Sequence, residues 1–375
     1  MKKRLLIFHP ALAPYSIDQY NGLSKIFDLE VVFIFDNVWN HKFDQSALLS
    51  QLMFKVSFLL KGLRYKGRVF RFGIYKTIKR VKPDLIFGYE YSFTTQYLVL
   101  LKRIGLIPQK IGTTIDDSIE ICNHIQSKSR YIARKLTVKH LNYFVVMSDE
   151  VSRFYQDTFS LNEKQIIVSP LLQDSGRLRK NNDELNILSK EYLQEYQLRG
   201  KKVLLFVGRF IYEKAVELFI DNIHSILREN NNLIVVLIGE GAERENIELK
   251  VKERQLTNKV IFPGRFEGQK LYAWYLCASG FVLPSTYEPF GAVVNEALIF
   301  GLKVFCSKYA GASYLVSAGK GLLFDPLDKN ETTNKLQQFL HDIYEIEEID
   351  MANKPSLMSD YQETFIMEWG KLIYV

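Results

Sequence analysis

Cysteine is scarce in this 375-residue chain: Cys122, Cys277 and Cys306 stand far apart, and no CxxC occurs. That excludes a disulfide scaffold, disfavours a structural zinc site and points to a reducing compartment. Long apolar runs are missing too, so no membrane-spanning helix is expected. The start, Met1-Lys2-Lys3-Arg4, is basic, but too few apolar residues precede His9 and Pro10 to make a signal-peptide core. No internal repeat or low-complexity tract stands out. What is present, 47% hydrophobic and 24% charged residues, suits two globular domains of ordinary size.

Acidic residues are short in the first half. Residues 1–170 hold 25 Lys/Arg against 14 Asp/Glu, a balance of +11, and the remainder holds 24 against 28, a balance of −4, within a total of +7. The basic half implies an anionic partner: a membrane surface, nucleic acid or a phosphorylated substrate. Between Lys55 and Lys82 ten basic residues and no acidic one are interleaved with Phe54, Phe58, Leu63, Phe70 and Phe72. That mixture suits the headgroup region of an anionic membrane, whereas solvated faces normally mix charge signs. No nucleic-acid reader motif accompanies the charge, so nucleic acid is not expected as a partner.

Short apolar runs alternate with helix-length segments, the pattern of parallel α/β folds. Strands are expected at Arg4–Phe8, Glu30–Phe35, Asp84–Gly88, Lys110–Ile115 and Tyr143–Met147, and a second series at Lys202–Val207, Leu233–Ile238, Lys259–Phe262, Gly280–Leu283 and Lys303–Cys306. Two doubly wound, Rossmann-like domains follow: one over 1–172 and one over 200–356, with 173–199 as a polar linker region. A helix at about 357–375 is expected to pack back on the first domain. Facing C-terminal strand ends would form a ligand cleft.

Four features stand at the strand ends of the second series. Phe206-Val207-Gly208-Arg209, followed by Lys214, sets two cations beside a helix start, an arrangement suited to a diphosphate. Ile238-Gly239-Glu240-Gly241 has Arg244 where a dinucleotide fingerprint needs its third glycine, so it reads better as a tight turn than as an NAD site. Phe262-Pro263-Gly264-Arg265-Phe266 is a sharp turn able to present backbone groups to a base edge, or a turn and nothing more. The stretch from Pro284 to Ala297 puts Glu288 on a loop, a helix start near Gly291 and Glu296 on the second turn. A helix start suits phosphate. Glu296 can accept from both hydroxyls of a ribose and Glu288 from those of a sugar; the alternative is an N-terminal helix charge and a solvated face.

This ordered set resembles glycosyltransferase family 4, retaining enzymes of the GT-B fold. The family pattern E-x7-E, in the context E-[PG]-F-G-x-x-x-x-E-A, matches Glu288 to Glu296, and G-R-x-x-x-x-K-G matches at Gly208, Arg209 and Lys214, with Ala215 in place of the last glycine. Gly301 after the acidic helix also agrees. The resemblance is firm over 200–330 and looser over 1–170. It implies an α/β GT-B fold and a nucleotide-sugar donor held by Arg209 and Lys214 at the diphosphate. Glu296 would hold the ribose and Glu288 the transferred sugar. Phe290, Gly291, Ala292 and Val293 would lead in the helix amides, and Gly264, Arg265 and Phe266 would lie at the base. No metal or other cofactor is implied, and the chain contains no Asp-x-Asp of the metal-dependent transferase fold.

The first half departs from the pattern. His9-Pro10-Ala11-Leu12-Ala13-Pro14-Tyr15 replaces a Gly-Gly loop, and Asp116 stands where the histidine of a His-Asp pair is usual. Asp116 is either a contact to the donor sugar or, with Asp117, a helix cap. The resemblance implies a glycan or lipid-linked acceptor in cell-envelope synthesis, with the protein cytoplasmic and attached peripherally to the inner face of the membrane. The competing expectations are a UDP-sugar epimerase of the same architecture and an inactive nucleotide-sugar-binding protein.

Overall fold

The computed structural model describes residues 2–38, 43–65, 68–123, 128–317, 319–348, 353–358 and 367–374. The chain divides into two compact units, residues 1–173 with 360–375, and residues 174–359.

Along the first unit run β1 (Arg4–His9), α1 (Ile17–Ile26), β2 (Asp28–Phe33), α2 (Gln45–Leu49), β3 (Lys55–Phe58), a hairpin of β4 (Gly62–Tyr65) and β5 (Arg68–Arg71), and α3 (Ile74–Val81). They are followed by β6 (Leu85–Tyr89), α4 (Phe93–Arg103), β7 (Lys110–Ile115), α5 (Ile119–Asn123), α6 (Lys128–Val138), β8 (Tyr143–Val146), α7 (Asp149–Phe159) and β9 (Ile166–Val168). Seven strands form one parallel sheet in the order β3-β2-β1-β6-β7-β8-β9. Strand periodicity shows directly in the core. Leu6, Phe8, Val32 and Ile86 belong to one buried cluster, while Leu5, Ile7, Val31 and Phe87 belong to another. Successive side chains alternate across a sheet covered on both faces, which is why its strands read as continuous apolar runs. The strand order reverses at β1, which lies between β2 and β6, so the ends of β1 and β6 open a switch-point crevice.

The C-terminal segment returns to this unit. Trp369 joins the second cluster, packs on Phe87 with ring centroids 5.2 Å apart, and donates from Nε1 to Ser169 Oγ at 3.0 Å. Of the expected terminal helix, residues 359–366 and 375 lie outside the described residues; 367–370 are helical and a 3-10 turn follows at Lys371–Tyr374. The hairpin β4–β5 is antiparallel and sits apart from the sheet, with Phe70 against Tyr97 of α4 at 5.4 Å.

The second unit opens with α8 (Ser175–Leu178) and α9 (Asn182–Glu195) and continues with β10 (Lys202–Val207), α10 (Val216–Glu229), β11 (Leu233–Ile238), α11 (Arg244–Glu253) and β12 (Val260–Gly264). Then come α12 (Gly268–Leu276), β13 (Gly280–Leu283), α13 (Ala292–Ile299), β14 (Lys303–Ser307), β15 (Gly321–Phe324) and α14 (Lys329–His341). Its six strands are parallel in the order β12-β11-β10-β13-β14-β15, a second doubly wound sheet. The segment expected as a linker, 173–199, is largely helical instead. In α9, Tyr192 stacks on Trp274 of α12 at 4.6 Å and the Ser189 hydroxyl donates to Ala273 O at 3.1 Å. Its polar surface residues masked an apolar stripe that the sheet's outer helix needed.

Candidate functional site

In the second unit the loops after β10, β11 and β12 are tied edge to edge by backbone hydrogen bonds. Gly208 N donates to Ile238 O at 3.0 Å, Phe210 N to Glu240 O at 2.8 Å, and Gly239 N to Gly264 O at 2.9 Å. The approach is so close that a Cβ on Gly239 would lie 1.8 Å from Gly208 O. Only glycine fits there, so the Gly-Glu-Gly turn is explained by packing alone. Arg209, projected from this bundle of loops, is half-buried, and its side chain makes no hydrogen bond or ion pair among the described residues.

The chain then makes a 3-10 turn at Tyr212–Lys214 and enters α10 through Ala215, whose φ is 50° and ψ 32°. This left-handed conformation is the reason a glycine suits the position, and alanine holds it at a cost of about 1–2 kcal/mol. The turn delivers Lys214 Nζ onto Glu288 Oε2, a contact in which both side chains are largely buried. Glu288 sits on the loop after β13. That loop is anchored on two sides: Thr286 N donates to Glu213 O at 2.9 Å, and Gly311 N to Glu288 O at 3.0 Å. Gly291 then turns the chain into α13 with φ 92°, and a Cβ there would stand 3.2 Å from Glu288 Cγ. The carboxylate of Glu288 and the start of α13, Ala292 and Val293, are thereby held together, where helix amides favour an anion. Phe290 is buried beneath them.

Glu296 is 7% exposed on the second turn of α13 and accepts from the Tyr275 hydroxyl at 2.7 Å. Tyr275 is fixed in turn by a near-parallel stack on Phe300 at 5.5 Å, and burial pushes its phenol well above the usual range, so it stays a donor. Gly264 has φ 110° and open space around it, Arg265 contacts Glu267, and the Phe266 ring leans on Tyr192 and Trp274 at 5.8 Å each. The unit thus brings Gly208, Arg209, Lys214, Gly264, Glu288, Gly291 and Glu296 to the C-terminal ends of one sheet's strands.

Asp116 lies in the first unit, at the end of β7. It shares a small cavity with His9, Gln19, Tyr20, Thr114 and Trp369. Tyr89 OH donates to its carboxylate at 2.9 Å. Burial raises its pKa to about 6, against the lowering effect of the Tyr89 hydrogen bond. Glu90, at the end of β6, has φ 45° and is raised to about 7, first by burial and then by the Asp116 and Asp117 charges. His9 is pushed down to about 4 by burial, so it is neutral. Asp117 takes the cation of the group: Arg134 pairs with it at 3.1 Å. The helix-cap alternative for the two aspartates does not hold, because Ser118 Oγ accepts from Ile121 N at the start of α5. Sequence reasoning passed over Glu90 and Tyr275. An acid directly after an apolar strand was the available signal for Glu90; for Tyr275, inside an apolar helix, there was none.

Comparison with known proteins adds the family. Residues 189–354 match the model of glycosyl transferases group 1, a span that contains every strand of the second sheet. That segment is similar to the group 1 glycosyltransferases. An uncharacterized glycosyltransferase of Methanocaldococcus jannaschii is 36% identical over 116 residues, 31% of this chain and 30% of that protein. The 2-deoxystreptamine N-acetyl-D-glucosaminyltransferase of Niallia circulans is 28% identical over 167 residues, 44% of this chain and 43% of the relative. The matches thus span under half the length of these curated relatives. Solved structures match along the whole chain. Sucrose-phosphate synthase from Thermosynechococcus elongatus aligns with a TM-score of 0.69 at 18% identity, over 99% of this chain and 98% of that one. Anabaena HepE in complex with UDP-glucose aligns at 0.72 and 15%, over the full length of both. The fold is therefore GT-B, with two Rossmann-like domains.

Proposed function

We propose that this protein is a retaining glycosyltransferase that moves a sugar from a nucleotide-sugar donor to a glycan or lipid-linked acceptor in cell-envelope synthesis. It works at the cytoplasmic face of the membrane and needs no metal. The observation that carries the reading is the constellation in the second unit: an unpaired Arg209, the Lys214–Glu288 pair, the start of α13 and the Tyr275-anchored Glu296, set on adjoining strand ends. The family-4 pattern adds the roles.

Arg209, Lys214 and the amides opening α13 would surround a diphosphate and stabilise the charge that develops on it as the glycosidic bond breaks, the task a divalent ion performs elsewhere. Glu288 contacts Lys214 through its carboxylate. A donor diphosphate competes for that lysine, and Glu288 then turns to the hydroxyls of the transferred sugar. Glu296, held by Tyr275, would accept from the ribose. Retention follows if the leaving phosphate stays on the face from which the acceptor hydroxyl attacks and takes its proton.

Turnover of a sugar nucleotide with and without excess EDTA tests the metal-free chemistry. Full activity after chelation is expected; complete loss restored by magnesium or manganese would refute it. Product analysis without acceptor separates this reading from an epimerase, which would convert the sugar nucleotide alone.

A further inference from the structure

Two stretches of the first unit, residues 45–83 and 91–115, contain neither aspartate nor glutamate. The fold joins them, because the hairpin β4–β5 from the first rests on α4 from the second through Phe70 and Tyr97. Along this junction large apolar side chains remain outside. Leu63 of β4 is 64% exposed, Phe72 after β5 51%, Leu100 of α4 50% and Ile104, just past the end of α4, 58%. Tyr97, Leu100 and Ile104 recur at helical spacing, so they form one stripe, and Phe72 extends it beyond Phe70 at 6.2 Å. A soluble surface rarely leaves so many large apolar groups adjacent.

The same two acid-free stretches carry exposed cations. The side chains of Lys61, Lys76 and Arg103 are exposed and make no hydrogen bond or ion pair among the described residues. Lys61 adjoins Phe72, whose amide donates to its carbonyl at 3.0 Å, and Arg103 is next to Ile104. Not every cation of the region is available. Arg71 turns inward, its guanidinium on the carbonyls of Ile34 and Leu60 and over the Phe35 ring, and Arg80 pairs with Glu30. What points outward is thus apolar side chains with positive charge and no acid, a surface complementary to an anionic bilayer, where rings and aliphatic groups enter the headgroup level and cations meet lipid phosphate.

We infer that the face formed by the β4–β5 hairpin and the outer stripe of α4 docks on an anionic membrane surface, with Leu63, Phe72, Leu100 and Ile104 entering the headgroup region. This gives the membrane attachment proposed above a definite surface, yet it does not depend on the transferase chemistry.

The test is sedimentation of the full chain, without any sugar nucleotide, on phosphatidylcholine vesicles with and without added phosphatidylglycerol. Binding is expected only with phosphatidylglycerol and should fall as salt rises. Lys61→Gln/Lys76→Gln/Arg103→Gln should lower the partition coefficient by about 100-fold, roughly fivefold per cation. Leu63→Ser/Ile104→Ser should lower it about tenfold through lost apolar burial. Thermal melts matching the parent's would show that both variants are folded. Equal recovery on neutral and anionic vesicles, no recovery on either, or variants that bind like the parent would overturn the inference. Release by inorganic phosphate at constant ionic strength would also overturn it, by assigning the cations to a free phosphate. Donor binding is measured separately by thermal shift, so failure on vesicles leaves the transferase reading standing.

Discussion

The two units share a doubly wound design and treat their buried acids in opposite ways. In the second unit each carboxylate has a partner that a ligand can replace or use: Glu288 has Lys214, and Glu296 has the Tyr275 hydroxyl. In the first unit Glu90 and Asp116 stand at neighbouring strand ends, and the Arg134 charge that lowers Glu90 is paired with Asp117. Some cations of that unit, Lys61, Lys76 and Arg103 among them, are exposed. Under the proposed function the second unit is an anion site assembled before the ligand arrives. The other holds acids under electrostatic load, a cost typical of sites meant to meet a ligand and seldom of scaffolding.

The sharpest break in this comparison is expected in turnover. Glu288→Ala should lower kcat by roughly 10- to 100-fold, the worth of a charged hydrogen bond, with nucleoside diphosphate affinity little changed. Steady-state kinetics beside equilibrium binding checks it. A loss confined to diphosphate affinity would move Glu288 from the sugar to the phosphate.

The load in the first unit should appear as pH-dependent stability. Glu90 is raised to about 7 and Asp116 to about 6, so the folded protein holds these protons more tightly than the unfolded chain does. Their destabilising effect is absent near pH 4, grows as pH rises through 6 and 7, and then levels off. Glu90→Gln should accordingly stabilise by about 1–3 kcal/mol at pH 8 and by nothing measurable near pH 4. His9, lowered to about 4, works in the other direction and removes stability as pH falls below about 6.5. Asp117→Asn should destabilise at neutral pH, because it leaves Arg134 half-buried without its partner, whereas Asp116→Asn should not. Urea melts at several pH values measure all four effects; a pH-independent gain for Glu90→Gln would show that its carboxylate carries no such load.

The smallest effect sharpens the second unit. Ala215→Gly relieves the left-handed backbone between Lys214 and α10 and should stabilise by about 1 kcal/mol, offset in part by glycine's greater freedom when unfolded. A melt no higher than the parent's would mean that the strain at Ala215 is already accommodated.

Much of this was legible in the sequence for a physical reason. Strands covered on both faces are apolar throughout, so Lys110–Ile115, Lys202–Val207, Leu233–Ile238 and Gly280–Leu283 stood out with their observed bounds. The short strands β3, β9 and β15 and the hairpin β4–β5 lack such runs and were not expected. The acidic loop and helix were visible because Glu288, Gly291 and Glu296 lie on one continuous stretch. Their partners were not, since Lys214 is 74 residues from Glu288 and Tyr275 is 21 from Glu296. Glu90 carries no motif, and its environment comes from β7 folding beside β6.

The central claim, that the strand ends of the second unit hold a nucleotide-sugar through Glu296, is tested most directly by thermal shift against UDP-, GDP-, dTDP- and ADP-sugars, for the parent and for Glu296→Ala. One donor class should stabilise the parent by about 2.7 kcal/mol at a hundred times its dissociation constant. The variant should bind that donor more weakly by roughly 1–3 kcal/mol, the cost of losing a charged acceptor to ribose hydroxyls. No shift with any donor, or a Glu296→Ala variant that binds the same nucleotide as tightly as the parent, would contradict the account.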